Sequence, residues 1–88
     1  MDNQAVRIID VTISGEVIRL GQFLRLAGLA MGALDAKVMI EEGWVTVNGR
    51  VETQPGRQLR PGELVATTGR SARVVTADRG PVRPGEYE

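Results

Sequence analysis

The 88-residue sequence contains no cysteine and no histidine. Without cysteine there is no disulfide staple, no thiolate nucleophile and no zinc site of the usual thiolate kind. Without histidine the commonest general base and metal ligand is gone. Aromatic residues are scarce: Phe23, Trp44 and Tyr87 make up 3% of the chain, which argues against nucleic-acid binding built on several stacked bases. Neither sign of charge prevails, with 11 basic and 11 acidic residues, so the chain is not a strongly basic polyanion binder of the usual type. No apolar run approaches the roughly 18 residues a membrane-spanning helix needs. The opening "MDNQAVRIID" has no basic segment leading into an apolar stretch, so no secretory signal is expected and the expected compartment is the cytoplasm.

What is present fits one small domain. Residues 5–13 are rich in β-branched types and predict a strand with Ile9, Val11 and Ile13 on one face; residues 14–16 predict a turn. From residue 20 the period changes. Leu20, Phe23, Leu24 and Ala27 follow the spacing of a helical stripe over 20–30, and Gly28 suits the helix end. A second helix is predicted over 33–42, with Gly32 as N-cap, Asp35 in the first turn, Gly43 just past the end, and Ala33, Ala36, Met39 and Ile40 buried. In that register Leu34 and Val38 face outward, and Lys37 and Glu41, four apart, are placed to pair. Asn48-Gly49 then signals a hairpin. A two-residue loop would set Val47 opposite Arg50; a three-residue loop would set it opposite Val51; the sequence leaves both open. Two Pro-Gly turns follow, then strands in "LVATT" and "ARVV". The domain is expected to span residues 5–76, with 77–88 a flexible, Pro- and Gly-rich tail.

Catalysis finds little support. Glu41 and Glu42 are adjacent on a helix, point about 100° apart and cannot flank one substrate. Ser14 and Ser71 have no histidine to activate them, and no phosphate loop or dinucleotide fingerprint occurs. The expectation is a protein with no catalytic residues, metal, cofactor or small-molecule substrate. The basic residues say more, because ten of the 11 are arginine, whose planar fork of donors suits phosphate. Arg25, Lys37, Arg50, Arg57 and Arg60 leave three short elements and could converge on one phosphate-tracking surface. Spacing alone equally fits cations scattered over a solvated rim. Trp44, at a helix–strand junction, is expected to close the core; stacking on a base is the other reading.

Three segments, "IRLGQFLRLAGL", "DAKVMIEEGWVTVNGRVET" and "PGRQLRPGELV", resemble the S4-like RNA-binding domain, and in particular its small stand-alone bacterial members. The resemblance implies an α+β fold in which two short helices pack on a small, bent, mostly antiparallel sheet in an αL-like arrangement. It implies binding of structured RNA, ribosomal RNA or the ribosome above all, without chemistry of the domain's own. By position, the RNA-facing residues would be Arg19, Arg25, Lys37, Arg50, Arg57 and Arg60. The chain departs from the pattern in "AMGALDAK", where a Ser- and Arg-rich start to the second helix is replaced by a stretch with neither. Residues 15–70 also hold seven cations and six acids, a near balance. That balance, the acidic second helix and the Leu34/Val38 pair support an alternative: a protein-interaction module that keeps the fold with little RNA affinity. A ubiquitin-like sulfur carrier ranks last, since "GEYE" offers no terminal Gly-Gly.

Overall fold

A computed structural model describes residues 7–76. Residues 5 and 6 of the expected first strand and the expected tail at 77–88 lie outside the described residues. The β-branched run forms β1 (Ile8–Ile13). After a bend at 14–16 come β2 (Ile18–Arg19) and, without a break, α1 (Leu20–Leu26). Then follow α2 (Ala33–Glu41), β3 (Thr46–Val47), β4 (Arg50–Val51), β5 (Gln58–Leu59), β6 (Leu64–Thr67) and β7 (Arg70–Thr76). The main sheet has the order β1-β7-β6-β3-β4, in which β1 runs parallel to β7 and every other pairing is antiparallel. β2 and β5 form a separate two-stranded ribbon. The expected α+β architecture is therefore present, two helices with a mostly antiparallel sheet.

The core joins the stripes that periodicity picks out. Leu20, Phe23 and Leu24 of α1 and Ala36, Met39 and Ile40 of α2 are buried, together with Val45, Val47, Val65, Ala72 and Val74 from the sheet. Both helices end in the same way. In α1 the Gly28 N–H donates to Arg25 C=O and the Leu29 N–H to Leu24 C=O; in α2 the Gly43 N–H donates to Ile40 C=O and the Trp44 N–H to Met39 C=O. This double bond pattern is the Schellman motif, and it requires positive φ at the glycine, here 74° at Gly28 and 83° at Gly43. It stops α1 at Leu26, short of the predicted 20–30 helix, and folds Leu29 and Ala30 back into the core.

Two burial expectations are corrected. Ala33 is exposed, because it opens the first turn of α2 rather than lying under it. Trp44 does not close the core: it is 58% exposed. Val45 and Val47 take the inward positions of the strand, so period-two alternation turns Trp44 outward. Ile9 shares its face with Val11 and Ile13, yet only Ile13 is buried, because β1 is an edge strand whose far end alone reaches the core. Nor does an ion pair join Lys37 to Glu41 among the described residues.

The hairpin has the two-residue loop, pairing Val47 with Arg50 and Thr46 with Val51. Asn48 and Gly49 adopt φ of 52° and 86°, as a type I′ turn requires. Asn48 also does something the turn does not need. Its N–H donates to Leu64 C=O at 2.7 Å, and its Oδ1 accepts the Leu64 N–H at 2.9 Å. The turn residue thus carries pairing with β6 beyond the end of β3. Asn48→Ala is expected to lose this side-chain bond and to strain the left-handed backbone, costing about 2 kcal/mol. Asn48→Gly keeps the backbone free and loses only the side-chain bonds, about 1 kcal/mol. Urea unfolding of the two variants checks the order; equal losses would show that backbone strain contributes nothing.

Candidate nucleic-acid interface

α1 begins without a capping side chain, since its N-cap residue is Arg19. The open N–H groups of a helix start need acceptors, and here a distant loop supplies them. The Leu20 N–H donates to Arg57 C=O at 2.8 Å and the Gly21 N–H to Pro55 C=O at 3.0 Å. Pairing of Ile18 with Leu59 and of Arg19 with Gln58 brings that loop alongside. The loop is held in shape from within. The Arg57 N–H closes a turn on Gln54 C=O at 3.1 Å, and Glu52 Oε2 accepts the Gln54 N–H at 3.1 Å.

The Arg57 side chain anchors this arrangement to the sheet. Its Nε lies 3.2 Å from Glu52 Oε1, and its Nη2 donates to Glu63 Oε2, also at 3.2 Å. Glu63 Oε1 accepts the Arg60 N–H at 2.8 Å, while its Oε2 also accepts from Asn48 Nδ2 at 3.3 Å. One carboxylate therefore ties together the hairpin tip, the 52–59 loop and the 60–63 turn. All three side chains of the Glu52–Arg57–Glu63 group are about a third exposed or less, 23%, 32% and 21%. Their bonds are charge-assisted and only partly screened by water.

Between α1, the first half of α2 and this loop lies an open groove of about 340 Å³. Its charged lining is wholly cationic: Arg19, Arg25 and Lys37. Gln22 adds one neutral polar side chain, and Gly21, Ala33, Pro55 and Gly56 complete the walls with small or compact residues. Arg25 follows Gln22 by three positions and Lys37 follows Ala33 by four, so each helix presents a single face to the groove. Small side chains leave room for a bulky backbone to approach, and the three cations offer charge-assisted donors to phosphate.

Of the six basic residues singled out in the sequence, the structure brings together Arg19, Arg25 and Lys37. Arg50, beside the hairpin turn, and Arg60, at the 60–63 turn, are exposed but do not line the groove. Arg57 lies behind its wall, engaged by two carboxylates. The sequence reading did not pick out Gln22 or the Pro55–Gly56 wall. Gln22 could have been found from its three-residue offset to Arg25; the wall depends on the β2–β5 ribbon, whose two-residue strands leave no alternation to detect. Arg70 has a structural role, since its Nη2 donates to Gly28 C=O at 2.9 Å and fastens the end of α1. Among the described residues, no cluster of three or more acidic side chains is placed to hold a metal ion, and no helix is long and apolar enough to cross a membrane.

The chain has relatives along most of its length. The S4 domain model matches residues 11–75. A probable ribosome maturation protein, RlbA of Bacillus subtilis, is 37% identical over 59 residues, a match covering 67% of this chain and 83% of that protein. The putative RNA-binding protein YbcJ of Escherichia coli is 36% identical over 58 residues, covering 66% and 83% respectively. A tyrosine–tRNA ligase of Burkholderia lata is 36% identical over 66 residues, which is 73% of this chain but only 16% of the ligase. The solution structure of E. coli YbcJ, described as revealing an ALFAL motif involved in RNA-binding, superposes with a TM-score of 0.60 at 30% identity, covering 85% of this chain and 96% of that one.

The Glu52–Arg57–Glu63 group yields a stability prediction. Arg57→Met leaves Glu52 and Glu63 without their shared cation and is expected to cost about 1–2 kcal/mol. Combined with Glu63→Gln, it should cost less than the sum of the two single changes. A double-mutant cycle by urea unfolding checks this, and strict additivity would show that the contact contributes nothing.

Proposed function

The chain belongs to the S4 domain family of RNA-binding proteins, and on that premise we propose that it is a non-enzymatic, cytoplasmic protein that recognises structured RNA, with ribosomal RNA as the target. The observation that carries this reading is the groove, where three cations from the end of β2, from α1 and from α2 meet with no acidic side chain in the lining. Backbone phosphates enter there. Arg19, Arg25 and Lys37 supply the charge, and Gln22 supplies a hydrogen-bonding group beside them. Arg50 and Arg60 contact the same RNA further out, on the hairpin and the turn that Glu63 ties together. Arg57 acts through position: it holds the Pro55–Gly56 wall in place instead of donating to phosphate. The name of the B. subtilis relative, a probable ribosome maturation protein, favours a ribosomal target.

A neutral chain with three groove cations makes few phosphate contacts. Its affinity should therefore fall gently with salt, and selectivity should rest on RNA shape. Arg19→Gln, Arg25→Gln and Lys37→Gln are each expected to lower the salt slope of binding to ribosomal RNA fragments by about 0.7–0.9. The triple variant should bind on the order of a hundredfold more weakly. Arg73→Gln, which removes the 3.9 Å pair with Asp10 on the β1–β7 edge, should leave binding unchanged. Anisotropy titrations across a salt series decide the matter: if the triple variant keeps both affinity and slope, the groove is not the RNA site. Crosslinking in cells with sequencing of the attached RNA tests the ribosomal target separately.

A further inference from the structure

α2 has two outer sides of opposite character. One, with Ala33 and Lys37, lines the groove. On the other, Leu34 and Val38 are four apart and stand one above the other. Leu34 is 75% exposed and Val38 42%. Met31, three positions before Leu34, is 96% exposed, and its backbone N–H is tied to the helix by Asp35 Oδ2 at 2.8 Å. At about 100° per residue, Glu41 borders the Leu34/Val38 seam on one side, and Glu42 and Asp35 border it on the other. All three acids are exposed, and no described cation pairs with any of them. A single exposed leucine is ordinary, but an apolar seam at helical spacing, bordered on both sides by carboxylates, has the pattern of a docking surface.

We infer that this face docks a basic amphipathic helix of a protein partner, apolar seam against apolar seam, with lysine or arginine on its flanks meeting Asp35, Glu41 and Glu42. Charge selects this occupant. RNA and an anionic membrane are repelled by the three carboxylates, and a second copy of this chain would set the same carboxylates against each other. The seam lies about 100° around α2 from the Ala33–Lys37 side, and neither Leu34 nor Val38 lines the groove, so the inference does not rest on the RNA reading.

The test uses a synthetic Leu/Lys peptide with its leucines at helical i, i+3, i+4, i+7 spacing, and a second peptide of the same composition in scrambled order. Both are titrated into the full chain by calorimetry and by fluorescence of Trp44, which is the single tryptophan and lies three residues past the end of α2. The ordered peptide is expected to bind saturably, about tenfold more tightly than the scrambled one. Leu34→Gln, and separately Glu41→Lys with Glu42→Lys, should each weaken binding about tenfold. Leu34→Gln should leave RNA affinity and the circular-dichroism spectrum as they were. Absence of saturation, equal binding of the two peptides, or indifference to Leu34→Gln would overturn the inference. So would a dimer in sedimentation equilibrium that Leu34→Gln dissociates.

Discussion

The start of α1 depends on hydrogen bonds that its own sequence cannot supply. Arg19 offers no capping oxygen, so the first N–H groups of the helix are satisfied by the carbonyls of Arg57 and Pro55. Those carbonyls stay in place because the Arg57 guanidinium is clamped between Glu52 and Glu63. The helix that presents Arg19 and Arg25 is thus fixed by a salt-bridged loop more than thirty residues further along. The same loop contributes one wall of the groove. Stability and site geometry share a single set of contacts, so a change that loosens the loop also moves the cations.

The neutral total charge conceals a marked separation. Two of the acids, Glu52 and Glu63, are turned inward onto Arg57. Asp35 and Glu42 lie on the side of α2 away from the groove, and Glu41, although four residues beyond Lys37, does not line it. The cations Arg19, Arg25 and Lys37 are left to face an acid-free hollow. A polyanion responds to the local field rather than to the sum of charges. Counting charges along the chain therefore misjudges what the surface can attract.

The elements with a strong local signal were legible in the sequence: both helices and most of their buried stripes, the glycines at their ends, the Asn48-Gly49 turn and the two Pro-Gly turns. Each is set by neighbours within a few positions. What could not be read depends on distant partners. The two-residue strands β2 and β5 exist only because they pair with each other. The outward position of Trp44 follows from Val45 and Val47 taking the core, and the packing of the whole sheet decides that these two valines are buried in preference to the larger indole. Arg57 looked like its neighbours Arg50 and Arg60, all exposed turn arginines beside glycine or proline; the two carboxylates that distinguish it come from positions five before and six after, brought in by the fold. Convergence of Arg19, Arg25 and Lys37 required the packing angle of two helices, which their sequences do not encode one at a time.

The parallel pairing of β1 with β7 joins Ile8 to Ser71 and Ile13 to Thr76, the first and last described strands of the chain. Closing so long a loop is the slowest kind of contact for a small domain to make. The hairpin, by contrast, closes locally, and the groove draws on segments between residues 19 and 56. Order of assembly follows from this geometry: the half that carries the groove can take shape first, and the edge of the sheet is sealed last, when the final strand gives the first one a place to lie.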